Sequence, residues 1–584
     1  MSKDKKVKST KRESLLRFGS IVLIIIAINI ISLFLFLRLD LTVEKRYTLS
    51  KSTKEMLANL DDVIYVKIYL YGKGLPPDYA ELSSKTRELL DELRVYSDNI
   101  EYEFIDPAKG REPQELNAIY GELYKKGLNP QSIQTMEADG VNTRYIVPGA
   151  LISYRQQDIP VQLLDSDDGI LFNSGDIIKY SIEKLEYNVT NAIRRITNLQ
   201  RSKVAFIKGH GELTNIEVFK AAMAIAQFYA VDSVILDNRL SHIFDVEWTD
   251  STGNFTIKGN KYDLLIIAKP TQAFGRYEKY ILDQFVMRGG RLLWYVDPVL
   301  AEMDSLFNYA EMPVLPRDLN LDDMFFRYGV RMKTNLLQDL NALPIPVGSG
   351  TAASGQPQYV FIPWYYFPII TPFIDHPIVK NLNVLRTEFI SSIDTIGTQS
   401  AVKRTVLLTT SATTKVVNTP SIISLESLKR RANMREYNKK YMPVSILAEG
   451  EFSSLFADFE GNDEAEELGL IKKSVPTKMI FVSDGDMIKN QLGPNSVPFP
   501  LGFDKYTETA YGNKNFLLNA VNYLCDDVDI LQVRSKDFKM RLLDKNKILK
   551  EKSAWQIFNL ILPLVCIGIL GVVFAFIRKL KYQK

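Results

Sequence analysis

Two long uncharged runs stand near the two ends of this chain, Phe18 to Leu37 and Ala554 to Ile577. At about 1.5 Å of rise per residue, twenty helical residues cover roughly the 30 Å of a hydrocarbon core. Both runs therefore predict transmembrane helices, and few folds are open to a chain whose middle, residues 38–553, is held to a bilayer at each end. Trp555 suits one interface of the second span, and Pro563 predicts a kink within it. Asn29 in the first span and Pro563 in the second leave polar groups that neighbouring helices would satisfy, which suggests partner transmembrane subunits. A cleaved leader would show a shorter apolar core followed by small residues. Here Arg38-Leu39-Asp40-Leu41 comes next, so the first span reads as an uncleaved anchor.

Residues 1–17 hold seven basic side chains against two acidic ones, which predicts a cytoplasmic tail. The closing tail, 578–584, agrees, with Arg578, Lys579, Lys581 and Lys584 and no acid. Arg534 to Lys552 opposes this, with eight basic residues against three acidic ones. Following the first span puts the large central region outside the cytoplasm.

A chain of 584 residues is too long for one core, so two to four domains are expected. With 46% hydrophobic and 24% charged residues, most of it should pack. The net charge of +3 is too small to support nucleic-acid binding. Cys566 falls in the second span and Cys525 in a soluble helix, so a disulfide between them is ruled out and the redox compartment is not legible.

Between the spans, Val63 to Leu70 predicts a buried strand, Tyr79 to Tyr96 an amphipathic helix and "NIEYEFIDP" the next strand, which together make a βαβ unit. A helix near Pro113 to Lys126 and a hairpin pattern over Gln134 to Leu164 complete a small α/β domain, thioredoxin-like or related, over 45–165. It has no Cys-x-x-Cys, which excludes dithiol redox chemistry. A linking helix over 176–200 leads to a second domain over 201–530. There, strands at Lys203–Lys208, Val231–Leu236, Asp263–Ala268 and Leu292–Val296 alternate with helices at Ile216–Tyr229 and Tyr277–Arg288, the pattern of a doubly wound parallel sheet. "RTVLLTTS" and "TKMIFVSDGDMI" supply later strands, and Asn515 to Leu524 a late helix. A Pro-rich insertion near 341–377 separates the two halves; it should be extended and partly mobile, with "YVFIPWYYF" read as a buried edge strand. The basic stretch around Lys429 to Lys440 and the acidic stretch from Glu449 to Glu467 read as solvated loops.

The segment with most chemical promise is "VAFIKGHGELTN", where the strand at Lys203–Lys208 ends in Gly209, His210, Gly211 and Glu212. A parallel sheet places its ligands at this carboxyl edge. Nucleophilic catalysis needs a Ser or Cys on a strained turn beside an oriented histidine, and no Gly-x-Ser-x-Gly or cysteine elbow is present. Two roles fit the four residues: His210 as a general base toward water with Glu212 near it, or a tight turn whose polar side chains bind a ligand or the loop backbone. The structural or non-catalytic role is preferred, so no catalytic residue is assigned.

Three scattered histidines, His210, His242 and His376, give no zinc spacing. Asp165, Asp167 and Asp176 resemble a calcium loop, but the glycine is misplaced and aspartate stands where the bidentate glutamate should be. No metal and no cofactor is expected. Without a Gly-x-x-x-x-Gly-Lys-Ser/Thr loop, energy for any transport must come from another subunit.

Taken in order, the N-terminal anchor, "RYTLSKSTKEMLANLDDVIYVKIYLYGKGLPPDYAELSSKTRELLDELRVYSDNIEYEFIDP", "KVAFIKGHGE", "YDLLIIAKP", "LDQFVMRGGRLLWYVDP", "HPIVKNL" and the terminal span resemble the auxiliary G component of the gliding-motility-associated ABC transporter of gliding bacteria. The resemblance implies a membrane-anchored, extracytoplasmic auxiliary or substrate-binding subunit working with a separate ATPase and a multispan permease. It also implies a middle domain similar to a class I glutamine amidotransferase fold, seen too in an intraflagellar-transport protein, that has lost its catalytic cysteine. A non-enzymatic transporter subunit is therefore expected. The alternatives are an envelope hydrolase using His210 and Glu212, or a scaffold of a motility or secretion machine.

Overall fold

The computed structural model describes residues 18–27, most of 49–525, and 545–582. Within the long stretch, 165–173, 198–201, 249–254, 352–356, 398–400, 459–468 and a few single or paired positions fall outside it. Asn29, the calcium-like aspartates Asp165 and Asp167 and most of the acidic run before Glu467 therefore lie outside the described residues. The chain forms two units, residues 1–40 with 47–536, and residues 41–46 with 537–584.

In the first unit, β1 (Ile64–Ile68) turns Ile64, Val66 and Ile68 into the core at alternate positions, as a half-buried strand must. Helix α1 (Pro77–Tyr96) follows, starting at a proline whose missing N–H costs nothing in a first turn and burying Leu82, Leu90 and Leu93. It leads to β2 (Ile100–Phe104), parallel to β1 with Val66 opposite Tyr102. Next come α2 (Pro113–Lys125), the hairpin β3 (Gln131–Glu137) and β4 (Gly140–Ile146), then β5 (Gly149–Tyr154) and β6 (Gln157–Gln162). A four-stranded sheet in the order β2-β1-β5-β6 results, parallel only between β1 and β2. Helix α3 (Ser174–Thr197) covers it by burying Leu185, Val189, Ile193 and Ile196, residues at helical spacing.

The larger layer begins with β7 (Lys203–Lys208), α4 (Phe219–Ala226) and β8 (Ala230–Ile235). A separate hairpin, β9 (Phe244–Trp248) and β10 (Phe255–Asn260), precedes β11 (Leu264–Ala268), α5 (Arg276–Met287) and β12 (Arg291–Tyr295). All five residues of β11 are buried, because apolar layers cover both faces of the sheet. Val204, Phe206 and Ile266 pack with α4 and the late helix on one face; Ala205, Ile207 and Ile267 pack with Phe285 and Val286 of α5 on the other.

The insertion forms a long antiparallel ribbon, β13 (Ala342–Thr351) and β14 (Pro357–Ile370), whose prolines Pro344 and Pro363 face each other. Trp364, Tyr366 and Phe367 are buried with Leu343 and Ile345 in a core of their own, while Tyr359, Val360 and Phe361 are exposed. The chain then returns to the large sheet with β15 (Val402–Thr409), β16 (Pro443–Gly450) and β17 (Thr477–Val482), and α6 (Asn513–Leu524) closes the layer.

Two expectations of fold class do not hold. The sheet, ordered β15-β16-β17-β12-β11-β7-β8, is mixed: β16 runs antiparallel to both its neighbours, so the doubly wound parallel sheet of amidotransferase type is not what these residues build. The apolar patterns named above include β15 and β17, which run parallel to the rest; β16, the strand that reverses, is not among them, and an apolar run says nothing of direction. The small N-terminal sheet is likewise mixed and open. Nor, among the described residues, are there two membrane-spanning helices. Among the described residues one helix is long and apolar enough, Phe558–Leu580 within α7 (Lys545–Tyr582), whereas Phe18–Ala27 is a helix of only ten residues and the rest of the first run lies outside the described residues.

The second unit is described through α7 alone. From Ala554 to Ile577 it has no charge on any side, as suits a helix surrounded by a non-aqueous medium.

Candidate functional site

The strand order 8-7-11-12 makes β7 and β11 the point from which the chain departs in opposite directions, and the loops after them meet at the sheet's carboxyl edge. After β7 the chain turns through Gly209 at φ 124° and Gly211 at φ 68°, backbone angles that a residue with a Cβ resists. A Cβ on Gly211 would come within 2.1 Å of Thr271 Oγ1. The two loops are tied by backbone: Thr271 and Gln272 both donate N–H to the His210 carbonyl, at 2.8 and 2.9 Å, and Thr271 Oγ1 donates to the Gly211 carbonyl at 3.0 Å.

His210 is 3% exposed and lies between two carboxylates. Its Nδ1 is 3.5 Å from Glu212 and its Nε2 is 3.3 Å from Glu278. Glu212 also accepts the His210 N–H at 2.8 Å, while Glu278 accepts the Gly275 N–H that opens α5. Phe274 stacks flat on the imidazole. Burial works against the imidazolium, yet the carboxylates of Glu212 and Glu278 outweigh it and the pKa is raised. His210 thus reads as a held cation joining the turn to the cap of α5, and no Ser or Cys stands among its hydrogen-bond, ion-pair or ring partners.

Beside this turn, the edge carries a buried ionic group. Lys269, just past β11 and at φ 55°, places its ammonium 2.6 Å from Asp486 and 3.2 Å from Asp297. Asp297 accepts the Gly485 N–H, and Asp484 accepts those of Asp486, Met487 and Glu388. Burial, then repulsion from Asp486 and Asp297, drives the Asp484 carboxyl well above its usual range. Burial opposes charge on Asp486 too, but Lys269 and Lys489 hold its carboxyl below the usual range. Oxygens of Asp297, Asp484 and Asp486 come within 4.8 Å of one another, a donor set of the kind that suits a hard cation. Lys269 already stands where that cation would lie, so the residues do not argue for a metal.

Arg386 and Glu388 arrive from the segment after the insertion and pair with each other; Arg386 Nε is 3.9 Å from Asp504. Together with Lys269, Asp486, Gly211 and Glu212 they line a cavity of about 590 Å³, walled on one side by Leu343 to Pro346 and Phe367 of the insertion. Of the four residues singled out in sequence, Gly211 and Glu212 reach the cavity, while His210 is packed away and Gly209 shapes the turn.

The ionic group was not singled out in sequence. Part of its signal was there, since Lys269, Asp297, Asp484 and Asp486 each follow an apolar strand within a few residues, where a parallel arrangement gathers its polar groups. Arg386 and Glu388 have no such signal, because only the return path of the insertion brings them to this edge.

Residues 201–520 match the sequence family ABC_transp_aux, described as an ABC-type uncharacterized transport system, and residues 43–153 match DUF7088, a domain of unknown function. An uncharacterized protein of Borreliella burgdorferi is 22% identical over 570 residues, covering 94% of this chain and 95% of that protein. Among solved structures, the mmIFT52 N-terminal domain aligns with 55% of this chain and 97% of its own at 11% identity and a TM-score of 0.30. An exo-beta-1,4-mannosidase of Opitutaceae bacterium strain TAV5 aligns with 78% of this chain and 49% of its own at 11% identity and a TM-score of 0.19. Neither score is high enough to bear on fold or function.

Proposed function

Because the chain belongs to the ABC_transp_aux family of ABC-type transport systems, whose match covers more than half of it, we propose that it is a non-catalytic auxiliary subunit which binds a ligand or couples motion for a transporter. The ATPase and the multispan permease are then separate chains. The observation that carries this reading is the sheet edge itself: its histidine, His210, is closed off by Glu212, Glu278 and Phe274, while an open cavity lies directly beside it. A hydrolase would need the reverse, a histidine open to water and a nucleophile within its reach.

Anchoring through α7 at a bacterial inner membrane, with the large unit in the periplasm, is part of the proposal. The basic tail of residues 1–17 supports that side and the basic stretch before α7 does not, so cysteine labelling of the large unit in intact and lysed cells is the direct check. Gliding motility as the process served rests on the sequence resemblance alone.

Purification of the tagged full-length chain in mild detergent tests the central claim. An ATPase and a permease copurifying in fixed ratio is the expected result. A chain that migrates alone from its native membrane overturns it.

A further inference from the structure

The cavity at the sheet edge has a charge pattern that specifies more than binding in general. Its volume of about 590 Å³ falls in the range that holds small molecules. Its carboxylates are Glu212, Glu217, Glu302, Glu388, Asp486 and Asp504. Its cations are Lys269, Arg386, Lys489 and Lys505. Three of the four cations are engaged within the wall: Lys269 with Asp486, Lys489 with Glu217 at 3.1 Å, and Arg386 with Glu388. Glu212 and Glu302 are met from behind the lining by His210 and Arg317, and burial pushes the Asp297 and Asp484 carboxyls up, so the lining holds both signs in near balance. A ligand that itself carries both signs fits such a lining, whereas one of a single sign does not.

One corner asks for an anion. The Arg386 side chain is only 8% exposed, and its Nε has no hydrogen-bond partner, the Asp504 oxygen at 3.9 Å being out of reach. A buried guanidinium N–H left unmade is costly, and a carboxylate is its best acceptor. At the rim, Lys505 is exposed, its ammonium 3.5 Å from the Leu492 carbonyl and 5.2 Å from the centre of the Tyr506 ring. Between these poles, Leu343, Pro344, Ile345, Pro346 and Phe367 present an apolar wall.

We infer that this cavity binds a small zwitterion with an apolar body, an amino acid or short peptide, its ammonium set against Glu388 and Asp486 and its carboxylate against Arg386 and Lys505. A simple amine leaves Arg386 unsatisfied, and a dicarboxylate brings a net charge that the balanced lining does not call for. The inference rests on the binding role proposed above and gives it a substrate class.

The test is thermal melting of the purified full-length protein with leucine and dileucine, and with isoamylamine and isocaproate as probes carrying only one of the two charges. Saturating zwitterion should raise the melting temperature by about 5 °C, and either single-charge probe by less than half of that. Lys505→Ala, at an exposed position, should leave the ligand-free melting temperature unchanged and weaken leucine about tenfold. Glu388→Gln should weaken leucine and isoamylamine together while sparing isocaproate. No rise with either zwitterion, or a rise as large with isoamylamine alone, overturns the inference. Copurification reads the transporter role separately: partners without a melting shift sink only the ligand, and a shift without partners sinks only the complex.

Discussion

The imidazole of His210 lies flat on the ring of Phe274, centroids 3.9 Å apart and planes 8° apart. With Glu212 and Glu278 on its two nitrogens, the histidine has every face occupied. Removing it leaves two buried or half-buried carboxylates facing a void. His210→Ala should therefore destabilise the large unit by about 2–4 kcal/mol, read as a drop in melting temperature of the full-length protein. An unchanged melting temperature would show that the stack and the bridge contribute nothing.

The same site predicts a dependence on pH. Its folded pKa is raised because Glu212 and Glu278 outweigh burial, so the bridge contributes fully below the unfolded value of about 6.5 and is lost as pH rises through the folded one. The melting-temperature difference between the native chain and His210→Gln should shrink from pH 6 toward alkaline pH. A difference that stays constant or widens rejects a charged His210.

Gly211 sits at φ 68° with Thr271 Oγ1 where its Cβ would go. Gly211→Ala should cost more than about 1 kcal/mol through backbone strain and contact together. Adding Thr271→Ala should recover the contact part and leave the strain. If the double variant melts no higher than the single one, the clash is not the cause.

Lys269 neutralises Asp297 and Asp486 from a position 6% exposed. Lys269→Met leaves those carboxylates buried and unpaired, at a cost of about 3–5 kcal/mol near neutral pH. Because protonation relieves them, the variant should gain stability relative to the native chain as pH falls from neutral toward 5. Parallel melting curves across that range would contradict the pairing.

Asp283, fully buried on α5, accepts from Tyr328 Oη at 2.9 Å, Ser454 Oγ at 2.6 Å and the Leu455 N–H at 2.8 Å. It ties α5 to the chain that follows β16. Asp283→Ala strands all three donors and should cost about 3 kcal/mol or more, whereas Asp283→Asn keeps an acceptor and should cost less. Equal losses for the two would mean that shape, not acceptance, is what the position supplies.

Sequence alone determined what local chemistry can determine. The βαβ start, the burial of β11 on both faces, the helix after it and the absence of a nucleophilic elbow all follow from periodicity and residue type at short range, and so does the apolar stretch of α7. Strand direction was decided elsewhere: β16, which the apolar pattern did not mark as a strand, is reversed by its pairing with β15 and β17. The site divides in the same way. Gly209 and Gly211 announce their turn because positive φ has few tenants. Lys269, Asp486 and the neighbouring pair Arg386 and Glu388 come from three distant parts of the chain, and their meeting depends on where the insertion returns. A charge in sequence has no partner until folding removes the water between them, and that event belongs to the tertiary structure.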